Sequence, residues 1–256
     1  MKITLLPSTF SASGAPSDQY LTTFLVNDRI AIDAGSLGFY KGPQEQAAIR
    51  HVFLSHTHMD HIASLPIFLE NIAGLTDTPV VLHASEVVQE CLRDDLFAGR
   101  LWADFLNLNH EGGPFVVLRS LEEGQPIEVE GLRITPIAVN HVVPTLGFIL
   151  QDESSAIVMS SDTGPTEAIW ARARQTPKLK AVFLEATFPN DQQRLADITL
   201  HLTPADFLRE MQKLPEQTPF YAVHLKARFR TQVIHELESL QRPNLRIAQI
   251  GTTYEF

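Results

Sequence analysis

The sequence predicts an α/β fold: a four-layer α/β/β/α sandwich in which two mixed sheets stack and each carries helices on one face. One observation predicts it, and two more frame the site and the domain count. In each half of the chain, with the cut near Gly131, strand-like runs come first and helical patterns follow. Polar clusters recur where apolar strand runs end, the position at which ligands collect in sheet proteins. No linker or low-complexity tract interrupts the 256 residues, so residues 1–256 read as a single domain. No repeat is visible between the halves, so the sandwich rests on the order of elements alone.

Taken in order, residues 3–6, 20–26 and 29–33 read as strands, with a turn-rich stretch at 11–18. Residues 44–49 form a short helix feeding a buried strand at 52–55, and the pattern at 62–71 is helical. A strand at 79–82 precedes a helix capped by Ser85 and running to 97, with a second helical piece at 99–106. Strands follow at 115–118, 127–129, 132–139, 146–150 and 156–160, and Pro165 opens a helix to 174. The last quarter alternates: strand 181–184, helix 204–214, strand 221–224, helix 231–240, strand 245–250.

The corner after the strand at 52–55 reads His56-Thr57-His58-Met59-Asp60-His61. Three imidazoles and a carboxylate at a strand-to-helix corner suit core packing badly. A corner aims alternate side chains at one point, so His56 and His58 can reach one cation while Asp60 and His61 turn toward a second. Imidazole and carboxylate are ligands of zinc, manganese or iron in catalytic sites, where thiolates mark structural ones. The plain alternative is a histidine-rich surface loop. Three later strands end in the same way, at His141, Asp162 and His224. A lone histidine there is ordinarily structural; four ligand-bearing strand ends together favour a metal site. His83, also at a strand end, stays open, and His51, His110 and His235 have no partner pattern.

Composition narrows the partners. A formal net charge of −10 argues against a nucleic-acid surface, which needs clustered Lys and Arg. The single cysteine, Cys91, excludes an internal disulfide and fits a reducing compartment. The N-terminal apolar run is too short for a signal peptide, and no stretch is long enough to span a bilayer, so a cytoplasmic location is expected. The sequence leaves a homodimer open.

With these residues in place the chain resembles the metallo-β-lactamase superfamily, whose signature is His-x-His-x-Asp-His followed by a distant His, Asp and His. The resemblance implies the αββα sandwich and a two-metal hydrolase. It implies that His56, His58 and His141 hold one metal, that Asp60, His61 and His224 hold the other, and that Asp162 bridges. Zn²⁺ is expected, with Mn²⁺ or Fe²⁺ as alternatives, and Asp60 counts among both the ligands and the catalytic residues. Asp33, in Asp33-Ala34-Gly35, resembles the superfamily's early Asp and would hold a ligand in place; otherwise it is a turn carboxylate.

Other stretches resemble the class II cyclic-nucleotide phosphodiesterases: Ser161-Asp162-Thr163-Gly164-Pro165, Leu184-Glu185-Ala186-Thr187-Phe188-Pro189-Asn190, His201-Leu202-Thr203-Pro204, and Leu96-Phe97 with Leu101-Trp102-Ala103-Asp104-Phe105. Met59, Leu200 and Ala227 stand where that family usually has Leu, Gly and Pro. The resemblance implies hydrolysis of 3′,5′-cyclic AMP or GMP to the 5′-nucleotide, with a small-molecule cyclic nucleotide as the partner. Two metals roughly 3.5–4 Å apart can share a hydroxide and polarise a phosphoryl oxygen for in-line attack. Glu185 and His201 are then the candidates for an acid/base pair at the leaving oxygen, or else a buried structural pair. Phe97, Trp102 and Phe105 are candidates for stacking on a base; their near-helical spacing reads more readily as core. Lys226 reads as a solvated surface lysine more readily than as a phosphate contact. Three other readings remain. A tRNA 3′-processing endonuclease shares the metal signature and a Glu-Ala-Thr motif like that at Glu185, against which stand the acidic charge and the lack of a basic insertion. Another metallo-β-lactamase-fold hydrolase, of thioesters or lactams, leaves the His201 segment unexplained. An inactive metal-binding interaction protein sits poorly with an intact ligand set.

Overall fold

The computed structural model describes residues 1–9 and 19–256; the turn expected at 11–18 lies outside the described residues. In chain order the strands are β1 (Lys2–Leu5), β2 (Phe24–Val26), β3 (Ile30–Ile32), β4 (His51–Phe53), β5 (Val80–Ala84), β6 (Asn109–His110), β7 (Gly113–Pro114) and β8 (Val116–Ser120). They continue as β9 (Ile127–Val129), β10 (Leu132–Val139), β11 (Thr145–Gln151), β12 (Ala156–Met159), β13 (Leu179–Glu185), β14 (Phe220–Val223), β15 (Leu245–Ile247) and β16 (Thr253–Glu255). The α-helices are α1 (Pro43–Gln46), α2 (Met59–Ile62), α3 (Leu65–Ile72), α4 (Glu86–Cys91), α5 (Ala168–Gln175), α6 (Gln193–Thr199), α7 (Pro204–Met211) and α8 (Arg230–Ser239).

The chain forms two compact units. The first comprises residues 2–122 and 250–255, and the second residues 123–249 with 1 and 256. In the first, a seven-stranded sheet runs β16-β1-β2-β3-β4-β5-β8. Its first three pairings are antiparallel and its last three parallel. Val52, Leu54, Val80, Leu82 and Ala84 pack with Leu65, Phe68, Leu69 and Ile72 of α3 and Val88 of α4. In the second unit the sheet runs β9-β10-β11-β12-β13-β14-β15, again with three antiparallel and then three parallel pairings. There Val158, Val182, Leu184, Phe220 and Ala222 pack under Ile169 and Trp170 of α5, Phe207 and Met211 of α7, and Val233 and Leu237 of α8. Each unit is therefore built on one mixed sheet with helices on it, as the element order predicts, the first adding the two-stranded β6-β7, and the shared pairing pattern is the repeat that the residues conceal.

Several local expectations fail for identifiable reasons. Residues 99–106 are bends and turns: Gly99 is at φ +77°, and Asp104 folds back on the Asn107 amide at 3.1 Å. The helix after Ser85 does run to Leu96, but it passes from α-helix to π-helix at Leu92, and the Ser85 hydroxyl makes no cap bond. The helix expected to start at Pro165 starts at Ala168, and the Thr166 amide ahead of it is bonded to the Glu210 carboxylate. The helical pattern at 62–71 is two helices, α2 and α3, with Pro66 in the first turn of the second, where its missing N–H costs nothing.

Candidate metal centre

In the first unit the parallel strands β3 and β4 end side by side, one at Asp33 and the other at Ser55-His56. Asp33 turns the chain at φ +61°, a conformation aspartate tolerates better than most residues. Its carboxylate organises the corner. Oδ1 accepts from the Ser55 amide at 2.8 Å, and Oδ2 accepts from the Ser55 hydroxyl at 2.9 Å and from His61 Nδ1 at 2.6 Å. The Ser55 proton is thus given to Asp33, which leaves Ser55 Oγ to accept from His56 Nδ1 at 2.9 Å. Both imidazoles carry their proton on Nδ1, and Nε2 becomes the basic nitrogen that a cation requires. The three rings converge: His56 lies 4.2 Å from His61 and 4.7 Å from His58, centroid to centroid. Gly35 closes the corner. A Cβ there would lie 2.0 Å from the Asp60 carbonyl oxygen, so any side chain would displace the backbone that presents Asp60 and His61.

The second unit is organised alike. Asp162, Glu185 and His224 stand at the ends of the adjacent parallel strands β12, β13 and β14. Since β10 and β12 are both antiparallel to β11, His141 emerges at that same edge. Positive φ at Ser161 (+53°) and His224 (+57°) turns the chain as it leaves the sheet. Glu185 is saturated: Oε1 accepts from the Thr163 amide and His201 Nδ1, and Oε2 from the Thr187 amide, the Thr187 hydroxyl and the Leu202 amide. Five donors exhaust its lone pairs, so Glu185 organises the site and ligates nothing. His201 Nδ1 reaches it directly at 2.7 Å, and His224 Nδ1 reaches it through Thr187 Oγ1 at 2.9 Å. This repeats the Asp33–His61 and Asp33–Ser55–His56 arrangement of the first unit. His141 Nδ1 donates to the Leu200 carbonyl at 3.0 Å, which again leaves Nε2 basic. Asp162, 2% exposed, places Oδ1 3.4 Å from His224 Nε2.

Burial by itself pushes His201 toward the neutral ring, but the Glu185 charge and hydrogen bond outweigh it and hold the imidazole above its ordinary range. For His141 burial wins over the Leu200 hydrogen bond, and its pKa falls below the ordinary value. The donor set is all imidazole nitrogen and carboxylate oxygen, and Nδ1 of His56, His61, His141 and His224 is tied to oxygen, which fits a divalent cation. Ser55, Thr187 and the Leu200 carbonyl are the parts that sequence reasoning does not reach. Only the adjacency of Ser55 to His56 and the Glu-Ala-Thr motif hint at the two hydroxyls.

The remaining candidates are settled by packing. His83 stacks on Phe53 at 4.1 Å and meets His51 at 3.0 Å, and burial beside His51 and Arg119 lowers its pKa to about 3. It is a neutral structural histidine. Phe97 and Phe105 are buried around Phe115, so these two rings are core, and the partly buried Trp102 packs against that cluster from outside.

Asp33→Asn should lower metal affinity by roughly 10–100-fold, since it removes the charge that fixes two imidazoles. Competition with a chromophoric chelator measures this. Unchanged affinity would reduce Asp33 to a turn residue.

Two seven-stranded mixed sheets carrying helices and closed by His/Asp strand ends define a metallo-β-lactamase-fold protein. Residues 29–225 match the model of the Beta-lactamase superfamily domain, and the chain belongs to that family. With the His/Asp clusters, this makes it a metal-dependent hydrolase. The chain is 24% identical over 250 residues to a probable 3′,5′-cyclic-nucleotide phosphodiesterase of Yersinia pestis, covering 79% of this chain and 70% of that one. Its fold is similar to unliganded yeast PDE1 (TM-score 0.79, 16% identity, 98% of both chains). It is also similar to the short form of human tRNase Z (TM-score 0.69, 15% identity, 100% of this chain and 99% of that one).

Proposed function

We propose that the 256 residues act as one hydrolase that opens 3′,5′-cyclic nucleotides to 5′-nucleotides, in a reducing, cytoplasmic setting that its one free cysteine suits. His56, His58 and His141 would hold one divalent cation, Asp60, His61 and His224 a second, and Asp162 both. Bound there, the cations supply Lewis acidity and a water acidic enough to attack at neutral pH. The observation that carries the reading is the Glu185–His201 pair: a ligand set alone does not need a second carboxylate–histidine couple, but a poor leaving group does. Glu185 would steady the His201 imidazolium before transfer. As a water-derived oxygen adds to phosphorus and the P–O3′ bond breaks, His201 Nε2 would give its proton to O3′ and become neutral, and the proton released by the attacking water would then restore it. His201 lies in ring contact with His141 and His224, 4.9 and 5.6 Å between centroids, where such a donor belongs. The names of the Yersinia pestis relative and of yeast PDE1 support the same substrate class.

A second reading, 3′ processing of tRNA, is favoured by the likeness to human tRNase Z and opposed by the net charge of −10. Among the described residues no helix is long and apolar enough to cross a membrane. Purified protein loaded with Mn²⁺ or Zn²⁺ should release 5′-AMP or 5′-GMP from the cyclic nucleotides and leave a tRNA precursor intact. Efficient trimming of the precursor with no 5′-nucleotide released would reverse the assignment.

A further inference from the structure

Phe97 and Phe105 are in the core and Trp102 packs against it, and the second unit offers another aromatic surface beside His201. Phe188 follows Thr187 directly and meets the His201 ring edge to face at 5.6 Å. Its other neighbour is Phe229, at 5.9 Å and 65°. Phe229 lies in the short turn Ala227–Phe229 that leads from His224 into α8; it is half-buried, and the guanidinium of the exposed Arg228 sits 5.0 Å over its ring. The loop beneath is pinned, because the Asn190 amide is bonded to Glu236 of α8 and Asn190 Oδ1 accepts from the Ala205 amide of α7. Residues 226–230 read Lys-Ala-Arg-Phe-Arg, three cations without an acid in a chain of net charge −10.

We propose that Phe229 is the nucleobase platform of this protein. The inference rests on the cyclic-nucleotide reading above. A base would take the ring face that Arg228 covers, and the guanidinium would move to the outer face of the base. Both surfaces are flat and π-compatible, and both tolerate any base. In a cyclic nucleotide the ribose that carries O3′ also carries the base. A donor at O3′ therefore requires the base to lie a short step beyond the donor, and Phe188 and Phe229 follow His201 in successive ring contacts. The basic run would at the same time favour an anionic ligand. The plain alternative is that Phe229 packs only on the core, with Arg228 shielding it from water.

Titration calorimetry with 5′-AMP and ribose 5-phosphate on the Mn²⁺-loaded protein separates the two. Wild type should bind 5′-AMP tighter than ribose 5-phosphate by roughly 5- to 150-fold, the range that one stacked base supplies. Phe229→Leu, which keeps apolar volume, should bring the ratio to within about twofold and leave ribose 5-phosphate affinity unchanged; Phe229→Trp should restore the ratio. Arg228→Ala should lower it partially. Persistence of the ratio in Phe229→Leu, or equal weakening of both ligands, would overturn the proposal. If wild type hydrolyses cyclic AMP but binds the two ligands alike, the platform is wrong and the phosphodiesterase reading stands. If the ratio depends on Phe229 but cyclic AMP is not hydrolysed, the platform stands and the phosphodiesterase reading falls.

Discussion

Asp162→Ala should bring metal content below two per chain and lower turnover on the order of 10³-fold or more, the scale on which a preorganised electrostatic element in a closed site acts. Asp162 is the carboxylate proposed to serve both cations, so its removal takes charge from each. Its neighbour Thr163 is held through its own amide on Glu185, and the Gly164 amide is bonded to the Asn140 carbonyl, neither through the Asp162 side chain. The loop therefore persists, and far-UV circular dichroism of the variant should match wild type. Metal analysis is the decisive measurement. Two metals per chain with undiminished activity would remove Asp162 from the site.

The strand ends that carry His56, His141, Asp162 and His224 were legible because an apolar run closed by a polar side chain is a one-dimensional signal. The corner after β4 was legible for the same reason. What could not be read depends on contacts across the sequence. Ser55 and Thr187 look like ordinary hydroxyls until Asp33 and Glu185 fold against them. Helix α6 leaves no sequence signal because only Ala196 of its seven residues is buried, so no apolar period marks it. Leu200 is instructive in another way. It occupies the place where related sequences were expected to have glycine, and it is at φ +52°, which costs an L-residue about 1 kcal/mol or more. The turn is retained because the Leu200 carbonyl holds His141 and the His201 amide closes on the Ala196 carbonyl. The sequence shows the departure but not the backbone conformation that gives it meaning.

His201→Ala should separate two substrates that a structural residue would affect alike. Cyclic AMP releases an alkoxide, which leaves poorly without a proton, so loss of a general acid should slow its hydrolysis by roughly 10²–10⁴-fold. A p-nitrophenyl phosphodiester releases a phenolate that departs without one, and its hydrolysis should stay close to wild type. Metal content should be unchanged, since His201 Nδ1 is committed to Glu185 and the proposed ligand set is complete without it. Truncation would leave Glu185 with four of its five donors, the Thr163, Thr187 and Leu202 amides and the Thr187 hydroxyl, so the carboxylate remains satisfied and the His224 relay intact. The variant is therefore expected to fold. Loss of metal, or an equal loss on both substrates, would make the Glu185–His201 couple a structural pair. A collapse confined to the alkoxide substrate, with metal retained, is the result that assigns His201 the proton.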